Sequence, residues 1–337
     1  MKKLEIIKNP SSNCYQYMAF PLMILEQHSK SFEWIYENFV QTYFDLRHLK
    51  VRVPYYYYIF DYTISPFLHV HKVNRTFLEF NKLNIIEFIK NSVNNGYYIY
   101  LNLDEFYVPN RFSYAKNNFL HDCLIYGYDL SRREIYLYGF STSNHLDSTV
   151  ITFEEFKMAY ENIELNEERY IHINLYKYKD LGEYRLNLEI LVQQLIDYVE
   201  GVNISKNFIM LKNEPIERVY GMKFYQHIDK YLLVCENSKV KYDIRIFHFI
   251  YEHKQMMKNR IKYLLETSRI IDMTLLENWE DITAKALILR NVVMKLNILC
   301  EYNFQKLSEY IQILGESERA ILNKTIWHLE AMLSKTL

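Results

Sequence analysis

Two side chains in this 337-residue sequence have types and surroundings suited to covalent chemistry. Cys14 follows a small polar run, Asn9-Pro10-Ser11-Ser12-Asn13, and opens an apolar stretch, Tyr15 to Leu25. His121 heads a strand-like run, His121-Asp122-Cys123-Leu124-Ile125-Tyr126-Gly127-Tyr128. A thiol at a helix start is favoured as thiolate, because the helix dipole places partial positive charge there. An imidazole beside it can take the thiol proton and complete a nucleophile that attacks acyl groups. The same cysteine in an apolar stretch also reads as a small packed hydrophobe.

Strand geometry narrows the partners of His121. If Tyr97–Leu103 and His121–Tyr128 pair antiparallel, the end of the first lies near the start of the second. Asp104 is then expected beside His121, where a carboxylate would fix the tautomer and stabilise the imidazolium. Asp129 sits at the far end, roughly 25 Å away at about 3.3 Å per residue. Asp122 points to the opposite face, because side chains alternate along a strand. Cys123 shares the His121 face, but its apolar setting reads as a buried, inert thiol. His69 and His71 could face one way on a strand, yet no third metal ligand stands out.

The elements that must position these groups fall into two styles. Up to about Tyr178 the pattern is mixed α and β. Helices are predicted over Tyr15–Gln27, with Pro21 kinking or breaking it, over Phe32–Phe44, Asn84–Val93 and Phe153–Tyr160. Strands are predicted over Tyr97–Leu103 and Tyr170–Tyr176, with a hairpin of Cys123–Tyr128 and Glu134–Phe140. After Asp180-Leu181-Gly182, helical periodicity runs through Asn187–Val199, Glu217–Leu233, Asp243–Leu265, Trp279–Leu299 and Glu316–Leu333. The expected organisation is α+β, with a domain over 1–180 and an α-helical domain over 181–337.

Composition excludes several classes. Lys+Arg is 40 against Asp+Glu 41, so no global basic field exists to hold nucleic acid. Met1–Pro10 has too short an apolar core for a secretory leader, and no run reaches the roughly 18 apolar residues that span a bilayer. The four cysteines are far apart and form no metal-type pair, which points to a reducing cytoplasm. Thirty-two tyrosines beside seven glycines are unusual. In Tyr55-Tyr56-Tyr57-Tyr58-Ile59-Phe60, alternate side chains would either line an apolar acyl pocket or form core.

Three segments together carry a family resemblance: Cys14; Asn102-Leu103-Asp104-Glu105-Phe106-Tyr107-Val108-Pro109; and Phe119-Leu120-His121-Asp122-Cys123-Leu124-Ile125-Tyr126-Gly127-Tyr128-Asp129. In this order they resemble the butirosin biosynthesis protein H N-terminal family over roughly residues 5 to 176. That family is similar to papain-like, C39-type cysteine peptidases and includes acyltransferases that move an acyl group from a carrier-protein thioester to an amine. Amide synthases of the closthioamide type are relatives by function. The resemblance implies a papain-like domain with Cys14 as nucleophile, His121 as base and Asp104 as its partner. It implies an acyl or peptidyl carrier protein and a small amine as partners, with the acyl group borne on phosphopantetheine and no cofactor or metal of the chain's own. A cysteine peptidase or amide hydrolase, and a non-catalytic ligand-binding protein, are the alternatives.

Two departures stand out. C39-type peptidases carry a glutamine a few residues before the cysteine for the oxyanion hole; here that stretch is Ile7-Lys8-Asn9-Pro10-Ser11. Asn9 or Asn13 is left to take that place, alongside the Cys14 backbone N–H. The peptidases also carry an aspartate at the end of the next strand. Here that place reads Tyr138-Gly139-Phe140-Ser141, with no acid until Asp147. Asn144 and Asp147 are the substitutes should Asp104 not orient His121.

Overall fold

A computed structural model describes residues 1–58, 62, 65–163, 168–180, 182, 184–207 and 217–336. In chain order the elements are β1 (Lys2–Lys3), α1 (Gln16–Leu25), α2 (Phe32–Asn38), β2 (Thr42–Asp45), β3 (Tyr55–Tyr57), β4 (Leu68–Asn74), α3 (Arg75–Phe80) and α4 (Ile85–Asn94). Then come β5 (Tyr98–Asp104), β6 (Leu120–Asp129), β7 (Glu134–Phe140), β8 (Leu146–Thr152), α5 (Phe153–Glu161), α6 (Glu168–Ile171) and β9 (His172–Tyr178). The C-terminal part adds α7 (Leu188–Glu200), β10 (Arg218–Tyr220), α8 (Phe224–Ser238), α9 (Ile244–Glu266), α10 (Thr274–Leu299) and α11 (Phe304–Thr336). The fold is α+β, an antiparallel sheet followed by a helical region.

Two compact units emerge: Met1–Phe32 with Phe60–Glu183, and Glu33–Ile59 with Tyr184–Leu337. The C-terminal boundary lies close to the expected one at 180. The expectation that all of 1–180 forms one domain is corrected, because 33–59 folds with the helical unit.

In the first unit the strand order is β4-β9-β5-β6-β7-β8, with β1 paired to β6. Alternation gives this sheet two apolar faces. Ile99, Leu101, Leu103, Cys123 and Ile125 point to one side, where Ile89 and Val93 of α4 and Phe156 of α5 close a core. Each such leucine, isoleucine, valine or phenylalanine contributes about 1.5–3 kcal/mol on full burial. Local chemistry sets the ends of these helices: the Asn84 side chain accepts from the Ile86 and Glu87 N–H groups, and Thr152 with Glu155 makes a reciprocal capping box. On the other side α1 packs against β6 and β9, with Phe20 edge-on to Tyr100 at 5.5 Å. Nine of the ten residues of α1 are buried, as an all-round apolar helix requires, and it continues through Pro21 instead of breaking there.

In the second unit β10-β2-β3 form a small antiparallel sheet beside the helices. Tyr55, Tyr56 and Tyr57 of β3 are buried, with Tyr55 stacked on Phe224 at 4.1 Å and edge-on to Phe249 at 4.9 Å. Tyr55–Tyr57 are therefore core of the helical unit and Tyr58 is half-buried; Ile59 and Phe60 lie outside the described residues. Two helix expectations are corrected here. Phe32–Phe44 ends as helix at Asn38 and becomes β2, because Thr42, Tyr43 and Phe44 find partners in β3 and β10. Glu217–Leu233 opens as β10 and turns at Gly221 (φ +50°), where a Cβ would meet the Tyr198 carbonyl at 2.1 Å. Buried Lys254 and Glu318 pair at 2.6 Å, and Tyr198 and Tyr225 donate to the same carboxylate at 3.1 and 2.6 Å.

Candidate active site

Cys14 lies two residues before α1, in a bend, and is 6% exposed. It is a thiol, as are the other three cysteines. Tyr15 is the extended N-cap residue and makes no side-chain capping bond, and no acidic residue occupies the first turn. The positive end of the helix dipole is thus not neutralised by a local carboxylate. Gln16, the first helical residue, is held to within about 7.6 Å of Cys14 between α-carbons by two trans peptide steps.

The Gln16 amide connects this helix start to the sheet. Its Oε1 accepts from the Phe140 N–H at 2.9 Å, and its Nε2 donates to the Asp122 carbonyl at 3.0 Å. The same nitrogen stands 3.1 Å from Nε2 of His121. On the other side of the ring, His121 Nδ1 meets Glu105 Oε1 at 2.7 Å. A carboxylate can only accept here, so Nδ1 carries the proton and Nε2 presents a lone pair to the amide. His121 is thereby fixed at both nitrogens in one tautomer. Its side chain is 32% exposed, while that of Glu105 is 8% exposed.

The carboxylate that holds His121 is Glu105, which corrects the expectation of Asp104. The reason is strand parity. Leu103 stands directly opposite His121, and residues paired in this way share a face. Two positions on from Leu103 is Glu105, whose N–H continues the ladder to the Phe119 carbonyl at 2.8 Å. Asp104 opposes Leu120 and turns the other way. Its carboxylate is buried and engaged, accepting from the Phe106 and Phe119 N–H groups at 3.0 Å each and from the Asn118 amide. Asp104 ties off the loop after β5.

The remaining expectations fall out as follows. Asn9 is exposed and Asn13 half-buried, and the side-chain amide at the imidazole belongs to Gln16 instead. Cys123 is buried, and desolvation pushes its thiol up to about 12, as an inert core thiol requires. Asp147 is exposed on β8 opposite Gly139, and Asn144 is exposed at φ +59° in the preceding turn. His69 and His71 are exposed on β4, and no group of three metal-ligating side chains occurs among the described residues.

Sequence reasoning missed Glu105, Gln16, Arg111 and Gly139. Parity counted from Leu103 would have found Glu105. Gly139 carried a signal as a glycine inside a strand: a Cβ there would lie 2.6 Å from Gln16 Oε1 and 3.1 Å from both terminal nitrogens of Arg111. Arg111 is 3% exposed and donates to the Phe140 carbonyl, so the N–H and C=O of one residue are claimed by Gln16 and Arg111. Separately, a cleft of about 390 Å³ in the helical unit is lined by Tyr225, Asp229, Gly315 and Arg319 among others and includes none of these residues.

In comparisons with known proteins, no family model matches this chain and no curated protein matches it. Among the described residues no helix is long and apolar enough to cross a membrane.

Proposed function

We propose that the first unit is a papain-like acyltransferase that forms an amide through a thioester on Cys14. The observation that carries this reading is the Glu105–His121 pair at 2.7 Å, whose imidazole is fixed beside the start of α1 by Gln16, two residues after the thiol. His121 Nε2 exchanges the Gln16 N–H for the Cys14 proton. The thiolate then attacks the carbonyl of a thioester on the phosphopantetheine of a carrier protein. A carbon–sulfur bond to Cys14 forms, the carrier thiol leaves and takes the proton from His121. An amine next attacks the S-acyl group, gives a proton to His121, and the Cys14 thiol departs as the amide forms. Backbone N–H groups at the start of α1 receive the oxyanion in both steps. Glu105 stabilises the imidazolium between them. The thioester is already activated, so the chemistry calls for no nucleotide, and the setting is a reducing cytoplasm.

Incubation with an acylated carrier protein, read by intact-mass spectrometry, tests the covalent step. An acyl adduct is expected on the wild type and none on Cys14→Ala. An adduct that persists in Cys14→Ala or maps to Cys123 overturns the assignment.

A second reading has its own support. Cys14 is 6% exposed and the His121 lone pair is occupied by Gln16, the features of a packed, non-catalytic site in a ligand-binding protein. Hydrolysis of the thioester or of a peptide is the other outcome, as water competes with the amine. A single-turnover assay with a preloaded carrier, run with and without a primary amine, separates the three. Amide formation supports transfer, amine-independent hydrolysis supports a hydrolase, and no turnover in any arm supports the binding protein.

A further inference from the structure

Arg111 is an expensive residue for a structural role. It is 3% exposed, its Nη1 donates to the Phe140 carbonyl, and its Nη2 has no hydrogen-bond partner among the described residues. A guanidinium removed from water is strongly disfavoured unless charge nearby offsets the lost hydration. Here burial pulls Arg111 below its usual range, while Cys123, Glu105 and Asp147 act electrostatically in the other direction. A neutral side chain could fill the same volume without that cost. The glycine at 139 keeps the space beside Arg111 and Gln16 open, since any Cβ would crowd both.

We propose that Arg111 is a positioning residue for His121, acting through Glu105 and through the backbone of Phe140. Its positive charge acts electrostatically on Glu105, the carboxylate that accepts from Nδ1–H while the lone pair stays on Nε2. Its bond to the Phe140 carbonyl steadies the strand end whose N–H anchors Gln16, the second contact of the ring. Two routes from one cation thus converge on a single imidazole tautomer. The charged and titratable groups around this relay are Glu105, Asp147 and Cys123 near Arg111, with Asp122 beside His121. The proposal rests on the acyltransfer reading only for its effect on rate; the tautomer is a property of the resting chain.

The test compares Arg111→Lys, which keeps the charge, with Arg111→Gln, which keeps a donor for Phe140 without charge. Imidazole ¹⁵N spectra of the full chain report the His121 tautomer without substrate. The wild type and Arg111→Lys are expected to hold the Nδ1–H form, and Arg111→Gln to populate both forms. In the Glu105→Gln background, Arg111→Gln is expected to add no further change. If the chain is active, Arg111→Gln should lower kcat about tenfold, within the range of general-base contributions, with KM little changed. Lys and Gln variants that behave alike, or an undiminished effect in the Glu105→Gln background, overturn the proposal. An absence of acyl adduct on Cys14 with the expected tautomer pattern would defeat the acyltransfer reading and leave this one standing.

Discussion

Glu105 and Asp104 differ by one position in the chain and by everything in their surroundings. Glu105 reaches an imidazole, and Asp104 knits a loop by accepting from two backbone N–H groups and one amide. Glu105→Gln should therefore fold normally and lose activity on the order of 10²-fold or more, because the amide no longer stabilises the imidazolium. Asp104→Asn should instead cost about 1–3 kcal/mol of stability, the scale of leaving buried donors unpaired. Melting curves and kcat/KM on both variants check this. An inactive but fully stable Asp104→Asn beside an active Glu105→Gln would reverse the roles. Cys123 makes the opposite kind of statement. Its thiol is raised from 9.0 to about 12 by burial, so the folded chain keeps it protonated when the unfolded chain has ionised. The contribution is fully present below pH 9 and is lost as pH rises from 9 to about 12. At pH 8, alkylation with peptide mapping should label exposed Cys300 and spare Cys123 until the chain unfolds. Rapid labelling of Cys123 in the native chain would contradict its burial.

The β6–β7 hairpin, the start of α1 and the loop after β5 together make one device. None of them positions His121 alone: β6 carries the ring, the loop carries Glu105, α1 carries Gln16, and the end of β7 anchors the amide through Phe140. At Gly139 a Cβ would lie 2.6 Å from the Gln16 Oε1 that anchors to Phe140. Gly139→Ala should push Gln16 from the imidazole and cost about 1–3 kcal/mol, the usual scale for overpacking a filled site. Stability should fall modestly while the resting His121 tautomer is disturbed strongly. If the variant keeps the wild-type ¹⁵N pattern, Gln16 does not depend on that opening.

The two units set what can be cut and what cannot. Because 33–59 folds with the helices, a fragment of residues 1–180 carries the β2 and β3 strands away from β10, α8 and α9. Such a fragment would expose Tyr55, Tyr56 and Tyr57 and should aggregate or remain partly unfolded, as an unpaired apolar strand does. Dispersed NMR spectra from a monomeric 1–180 fragment would refute this. Within the helical unit, Lys254→Met strands the Glu318 carboxylate in the core and should cost about 3–5 kcal/mol. The double variant Lys254→Met/Glu318→Leu should recover most of that loss in a denaturant titration. Equal destabilisation by single and double variants would mean that packing, not charge, is what the pair supplies.

Local periodicity was enough to place α4, α5, α7, α9, α10, β5 and the β6–β7 hairpin to within a few residues, because each buries a face repeating at 3.6 or 2 residues along its own chain, while α1 was placed by its unbroken apolar run. Residue types and their surroundings also marked Cys14 and His121 as candidates, and of the two the structure places His121 between Glu105 and Gln16. What the local pattern could not supply was anything set by partners distant in sequence. Phe39–Phe44 has aromatic spacing compatible with a helix, and only its neighbours in β3 and β10 make Thr42–Asp45 a strand. Strand pairing correctly brought the end of β5 to His121, but proximity is blind to facing, and a shift of one residue exchanges Asp104 for Glu105. Gln16 and Arg111 meet through the backbone of Phe140, more than a hundred and nearly thirty positions away respectively, a contact that no local pattern encodes. The sequence by itself therefore determined most of the local elements and marked Cys14 and His121 as candidates, and the tertiary structure decided which carboxylate and which amide hold the imidazole, because those contacts join segments distant in the chain.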